Sequence, residues 1–185
     1  ENIIPALEND EIDVIISGMS ITPSRALRIN FSNPYAESGT SLATNISKTK
    51  VIKTMKELNQ PETSIAVVSQ TLGAELAGLL FDKATIKPFS ESAEAEKSVL
   101  NGDSHGYVAS MIETNFLMLK NPKAIDVPLG KPLMISKAGI AVKRGNQELL
   151  NYLNAWITAH TADRWLPTRH KYWFKTLKWE KELAE

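Results

Sequence analysis

Leu7 to Thr44 reads LENDEIDVIISGMSITPSRALRINFSNPYAESGTSLAT, and the junctions inside it set the architecture. The run Ile12-Asp13-Val14-Ile15-Ile16 is short, apolar and β-branched, the mark of a buried strand. Thr22-Pro23 follows. Threonine suits an N-cap and proline the first helical position, so a short helix is expected to start there and to carry Arg25 in its first turn. Asn33-Pro34, inside Phe31 to Tyr35, predicts a turn. Ser38 to Thr44 is strand-like again.

The same alternation continues outward. Ile65 to Ser69, Thr85 to Lys87, Tyr107 to Ser110 and Gly139 to Val142 have strand character, and helical stretches fall near 51–58, 73–82, 91–100, 111–120 and 146–160. Strands alternating with helices predict an α/β fold with a mostly parallel sheet. Neither an internal repeat nor a low-complexity linker interrupts the pattern.

Composition narrows the function classes. The chain has 185 residues, with 21 Lys+Arg balancing 21 Asp+Glu and no cysteine. A chain of this size suits one large domain or two small lobes and buries about 70% of its unfolded surface. Zero net charge argues against nucleic acid as a main partner, because phosphate neutralisation needs a dense basic face. No apolar run is long enough to span a membrane. Without cysteine there is no disulfide, thiolate zinc site or Cys nucleophile. His105, His160 and His170 lack metal-ligand spacing, and no Gly-x-Ser-x-Gly elbow is present, so neither a metal nor a hydrolase triad is expected. Trp156, Trp165, Trp173 and Trp179 all lie near the C-terminal end with Tyr152, Tyr172 and Phe174. They read as a ligand box or, more simply, as anchors that fasten terminal helices to the core.

Gly18-Met-Ser-Ile-Thr-Pro-Ser-Arg25 is where chemistry concentrates. In open α/β sheets ligands bind beyond the carboxyl ends of strands, and Gly18 permits close backbone approach just before a helix start. Ser20 adds a hydroxyl. Arg25 adds a planar fork that can grip a carboxylate bidentately, at about 1.5–3 kcal/mol per hydrogen bond to a charged group. Together they read as a carboxylate or phosphate clamp. The second glycine, Lys and Ser/Thr of a Walker loop are absent, which disfavours nucleotide phosphate. Arg25 read alone could equally be a solvated surface residue.

The run from Leu7 to Thr44 resembles the signature of the bacterial extracellular solute-binding proteins of family 3, the polar amino-acid receptors of ABC transporters. In that family a strand ending in Ala/Ser/Gly-x-Ser/Thr-Ile/Leu-Thr, an Arg shortly after, and Phe-Ser-x-Pro-Tyr surround the ligand's α-carboxylate. The resemblance implies that Gly18, Ser20 and Arg25 bind a carboxylate, with Tyr35 beside the cleft. It continues through Ser64 to Glu75 (SIAVVSQTLGAE), similar to VAVQxGTTxE, where backbone N–H groups and a Thr close on the carboxylate. Val99 to Phe116 (VLNGDSHGYVASMIETNF) is similar to a stretch ending GxxDAVVxD. Ala138 to Ile157 resembles the strand that returns to lobe one and the helix after it.

The implied fold is α/β, a two-lobe periplasmic-binding-protein-like (type II) fold. Residues 1–43 form part of lobe one, 44–137 form lobe two, and 138–185 return to lobe one. The crossings are expected near Leu42 to Asn45 and Ile135 to Ala138. The N-terminal part of lobe one is expected to be missing: Glu1 is not preceded by Met or a leader, and two strand–helix units, on the order of 60 residues, would come before it. The implied function is an exported receptor, periplasmic or extracellular, for an amino acid or related small carboxylate. It would deliver its ligand to an ABC transporter permease by hinge closure, without cofactor or metal.

Departures from the family pattern bear on the ligand. Its Gly-Thr-Thr is here Gln70-Thr71-Leu72, so the last hydroxyl is lost, although the Leu72 N–H can still donate. The Asp that pairs with a ligand α-ammonium aligns with Ser110. An unpaired ammonium in a closed cleft is costly, so either the ligand lacks one or another acid replaces Ser110. The earlier Asp of the motif is His105, which reads as a strand-end residue. Glu113 is the candidate substitute acid, and Ser110-Met-Ile-Glu113 also reads as a capping box. The stretch further resembles TDAIEARLQ of the periplasmic cyclohexadienyl (prephenate/arogenate) dehydratases, in which Glu113 would align with a general acid. Ligand-binding candidates are therefore Gly18, Ser20, Arg25, Thr71, Leu72, Ser110 and Glu113, with Glu113 catalytic only in the dehydratase alternative.

Overall fold

The computed structural model describes residues 3–52 and 54–182. The chain divides into two compact units, Glu1–Ser38 with Ile135–Trp173 and Lys178–Glu185, and Gly39–Met134 with Phe174–Leu177. The first unit opens with α1 (Ile3–Glu8), β1 (Val14–Ile15) and α2 (Pro23–Ala26), and the long β2 (Ile29–Asn45) carries the chain into the second. There follow α3 (Ile46–Thr49), α4 (Met55–Leu58), β3 (Ser64–Val68), α5 (Leu72–Leu80), β4 (Thr85–Phe89), α6 (Ser92–Leu100), β5 (Gly106–Ser110), α7 (Met111–Lys120) and β6 (Ile125–Asp126). β7 (Met134–Lys143) returns the chain to α8 (Gln147–Ala162), α9 (Trp165–Phe174) and α10 (Lys178–Glu182).

In the second unit β3 lies between β4 and β5 and is parallel to both. β5 and β6 each pair antiparallel with the end of β2. The strands alternate between two cores, as a period of two requires. Leu42, Ile65, Val67 and Val108 face Ala77 and Phe81. Ala43, Ala66, Tyr107 and Ala109 face Ala95, Val99 and Leu117. Gly73 sets how closely α5 packs, since a Cβ there would lie 2.9 Å from the Val108 carbonyl oxygen. In the first unit β7 works the same way. Ala141 joins Leu7, Ile15 and Ile29, while Ile140 and Val142 join Leu153 and Ile157 of α8.

Several expectations are corrected. Among the described residues the strand pairing is mixed, because the passing strands β2 and β7 run antiparallel to their neighbours. Alternating strands and helices predict direction only for strands joined in sequence, and β2 sits beside β5. The Ile12 to Ile16 strand shrinks to Val14–Ile15, and Ile16 is 63% exposed. The expected turn at Asn33-Pro34 is absent, since β2 runs straight through it. Side chains replace the ladder there: the Ile140 amide donates to Ser32 Oγ (2.9 Å) and the Asn33 amide to Asn154 Oδ1 (2.7 Å), and Pro34 has no N–H to satisfy. The single helix expected near 51–58 is instead α3 and α4, each started by its own cap, Asn45 and Thr54.

Candidate functional site

The clamp residues meet in the first unit. β1 pairs with β7 through Val14↔Val142 and Ile15↔Ala141, and pairing resumes at Ser20↔Ala138. Ile16 to Met19 therefore stand opposite Gly139 and Ile140, a bulge that lifts Gly18 out of the ladder. A Cβ on Gly18 would meet nothing within 4 Å, so the bulge is open to a ligand. Tyr35 secures its start by donating from its hydroxyl to the Ser17 carbonyl at 2.7 Å, and burial raises that phenol's pKa above the usual value. At the other end Ser20 Oγ lies 3.0 Å from Ser136 Oγ.

Thr22 caps α2 by accepting from the Arg25 amide at 3.3 Å, with Pro23 in the first turn. This cap aims the Arg25 side chain back at the bulge, where Nη1 donates to the Ser20 carbonyl at 2.8 Å. A guanidinium carries five N–H donors. Those beyond the Ser20 bond have no protein acceptor among the described residues. Gly18, Ser20 and Arg25 thus form an open backbone bulge beside a held cation with donors to offer.

The second unit places its candidates at helix starts. Thr71 caps α5, accepting from the Ala74 amide at 3.2 Å and donating its hydroxyl proton to the Val68 carbonyl at 2.7 Å. The Leu72 amide, first in α5, stays available, and the residue is 43% exposed. Gln70 has φ +60°, a left-handed backbone that glycine adopts without strain.

At α7 the capping box is formed. Glu113 Oε2 accepts from the Ser110 amide (3.2 Å) and hydroxyl (2.6 Å), and Oε1 accepts from Ser92 Oγ (2.9 Å) and the Tyr107 hydroxyl (3.4 Å). Both oxygens of the carboxylate are engaged as acceptors. Burial, followed by the Glu113 charge, pushes the Tyr107 phenol well above its ordinary pKa, and burial raises Glu96 as well. The Glu113 side chain thereby links the start of α7 to Ser92 at the start of α6 and to Tyr107 of β5. Sequence reasoning missed Ser92 and Tyr107, and also Ser136, which is 116 positions from Ser20. No local pattern marks such partners, because tertiary packing brings them in.

His105 immediately precedes β5, and its Nδ1 accepts from the Ser64 amide at 3.2 Å. Several of the C-terminal aromatics of the first unit pack on one another. Trp156 meets His160 and Trp165 edge-on, with centroids 4.7 and 5.7 Å apart, and it also joins the β7–α8 core.

Two α/β units joined through β2 and β7 fit the fold class expected from the sequence, the two-lobe periplasmic-binding-protein-like fold. The chain belongs to the bacterial extracellular solute-binding proteins, family 3, whose model matches residues 1–176. It is 29% identical to the ABC transporter glutamine-binding protein GlnH of Bacillus subtilis (strain 168), over 93% of this chain and 61% of that protein, so it spans less than two thirds of this relative's length. It is similar in structure to a binding component of an ABC transporter from Wolinella succinogenes DSM 1740 complexed with lysine. The TM-score is 0.87 and the identity 30%, over 97% of this chain and 77% of the other. The cyclohexadienyl dehydratase of Pseudomonas aeruginosa is a more distant relative, 20% identical over 94% of this chain and 65% of that enzyme. No helix of the described residues is long and apolar enough to cross a membrane.

Proposed function

We propose that this chain is part of a periplasmic or extracellular receptor that binds an amino acid or a related small carboxylate and delivers it to the permease of an ABC transporter. The observation that carries this is Arg25, held on the Ser20 carbonyl at 2.8 Å beside the open Gly18 bulge, with further donors lacking a protein acceptor. A planar guanidinium matches a carboxylate with two parallel hydrogen bonds, a geometry that a solvated surface arginine has no reason to pre-arrange. The ligand carboxylate lies on Arg25, with the Gly18 backbone and the Ser20 hydroxyl beside it. In the second unit Thr71, Ser110 and Glu113 act as caps of α5 and α7. The binding-protein relatives support the transport assignment through the glutamine and lysine that their names give.

The test is calorimetry of the full-length protein against a panel of α-amino acids and the matching α-hydroxy and α-keto acids. Saturable binding of at least one carboxylate, lost in Arg25→Met, is expected. Binding of an amino acid but not its hydroxy analogue would show that an acid elsewhere pairs the ammonium. No binding across the panel, or affinity unchanged by Arg25→Met, overturns the assignment. Release of phenylpyruvate or phenylalanine from prephenate or arogenate above the spontaneous rate would instead establish a dehydratase.

A further inference from the structure

Ser136 reaches the Arg25 site from β7. Pairing of that strand with the end of the bulge resumes at Ser20↔Ala138, where the Ile21 amide donates to the Lys137 carbonyl at 2.9 Å and the Gly139 amide to the Met19 carbonyl at 3.3 Å. Ser136 lies two positions before Ala138, so its side chain takes the same face of the strand and is the diagonal neighbour of Ser20. Lys137 between them takes the opposite face, and its Nζ donates to Glu37 Oε1 at 2.6 Å. The half-buried Ser136 hydroxyl meets Ser20 Oγ at 3.0 Å. Both serines belong to the first unit.

The protons available give this pair a direction. A serine hydroxyl has one proton to donate and two lone pairs to accept with, and in the Ser20–Ser136 pair either oxygen can be the donor. Ser20 already gives its carbonyl to Arg25 Nη1 at 2.8 Å, so its hydroxyl is the group left to meet a ligand. A carboxylate only accepts. Once one lies on Arg25, the Ser20 hydroxyl bonds it by donating, and the contact with β7 is kept only if Ser136 donates in turn. Donation from Ser136 polarises the Ser20 O–H and strengthens its bond to an anion, as in other hydrogen-bond chains.

On the reading that Arg25 grips a carboxylate, we propose that Ser136 is a positioning residue of that site: by donating to Ser20 Oγ it turns the Ser20 proton away from β7 and toward the ligand's carboxylate. Ser136 then acts through Ser20 and makes no contact with the ligand itself.

A double-mutant cycle by calorimetry on the full-length protein tests this, with L-glutamine, L-lysine and L-arginine as probes and Arg25→Met as the reference variant. Ser136→Ala should weaken binding of the tightest probe about fivefold when Ser20 is present. In a Ser20→Ala background, which leaves no hydroxyl to orient, it should weaken binding less than about twofold. Ser136→Thr keeps a hydroxyl in place and should stay within about twofold of wild type. A purely structural role would weaken binding equally in both backgrounds, and that result overturns the inference. So does a Ser136→Ala protein that binds like wild type, or a Ser136→Thr protein that binds as poorly as Ser136→Ala. In those cases binding lost in Arg25→Met leaves the carboxylate assignment standing. If no probe binds wild type, or if Arg25→Met binds as wild type does, the carboxylate reading falls and the role of Ser136 falls with it.

Discussion

Arg25 in the first unit and Glu113 in the second are both charged side chains at the first turn of a helix, and the sequence offers both as candidate ligand contacts, yet their bonding differs. Arg25 gives one hydrogen bond to a carbonyl and keeps donors in reserve. Glu113 has both oxygens engaged by Ser110, Ser92 and Tyr107. A charged group with unused capacity beside open space is equipped to meet a ligand, whereas one whose capacity is filled internally holds the fold. Residue type and alignment do not separate the two cases, but counting donors and acceptors does.

The largest expected effects break that comparison along its axis. Arg25→Met removes a bidentate pair and should weaken carboxylate binding about 100-fold, equivalent to about 3 kcal/mol, while the urea midpoint moves little. Glu113→Ala should show the reverse weighting. It strips partners from the Ser110 amide, the Ser92 hydroxyl and the fully buried Tyr107 hydroxyl, and should lower unfolding stability by about 2 kcal/mol in urea denaturation. A Glu113→Ala protein that keeps its stability and loses ligand would place Glu113 in the binding site itself. Ser110→Ala sharpens the same contrast at about 1 kcal/mol of helix-cap stability.

Smaller effects test details. Gln70→Gly relieves a left-handed backbone at φ +60° and should raise stability by about 0.5 kcal/mol, since the gain is partly offset by the freer unfolded chain. His105 supplies a pH signature. Burial, then the Lys48 and Lys87 charges, lower its pKa below the ordinary 6.5. The folded state therefore favours the neutral ring. That contribution is complete above pH 6.5 and is lost as pH falls through the lowered folded value. His105→Asn, which keeps an acceptor for the Ser64 amide, should flatten the decline in stability between neutral and mildly acid pH. An unchanged slope would remove His105 as its source.

The sequence made the local features legible. Thr22-Pro23 starts α2 and Ser110 to Glu113 forms a capping box because the groups involved lie within one turn of each other. The meeting of Gly18, Ser20 and Arg25 was readable for the same reason, since they fall within eight positions of one another. Features that depend on distant partners were not. Asn33-Pro34 carries a turn signal, but Ser32 and Asn154 side chains satisfy the backbone and let β2 continue. The antiparallel setting of β2 against β5 depends on which strands become neighbours, and alternation of strands and helices does not encode that. The ties of Glu113 to Ser92 and Tyr107 are made by packing α6 and β5 against α7.

The most direct test of the Arg25 clamp is a thermodynamic cycle on the full-length protein. It measures by calorimetry the affinities of wild type and Arg25→Met for the preferred amino acid and for its carboxamide, which lacks the carboxylate. If Arg25 grips the carboxylate, converting it to the amide should cost wild type about 100-fold and cost Arg25→Met almost nothing. The same loss in both proteins would show that the carboxylate is held elsewhere and would contradict the clamp.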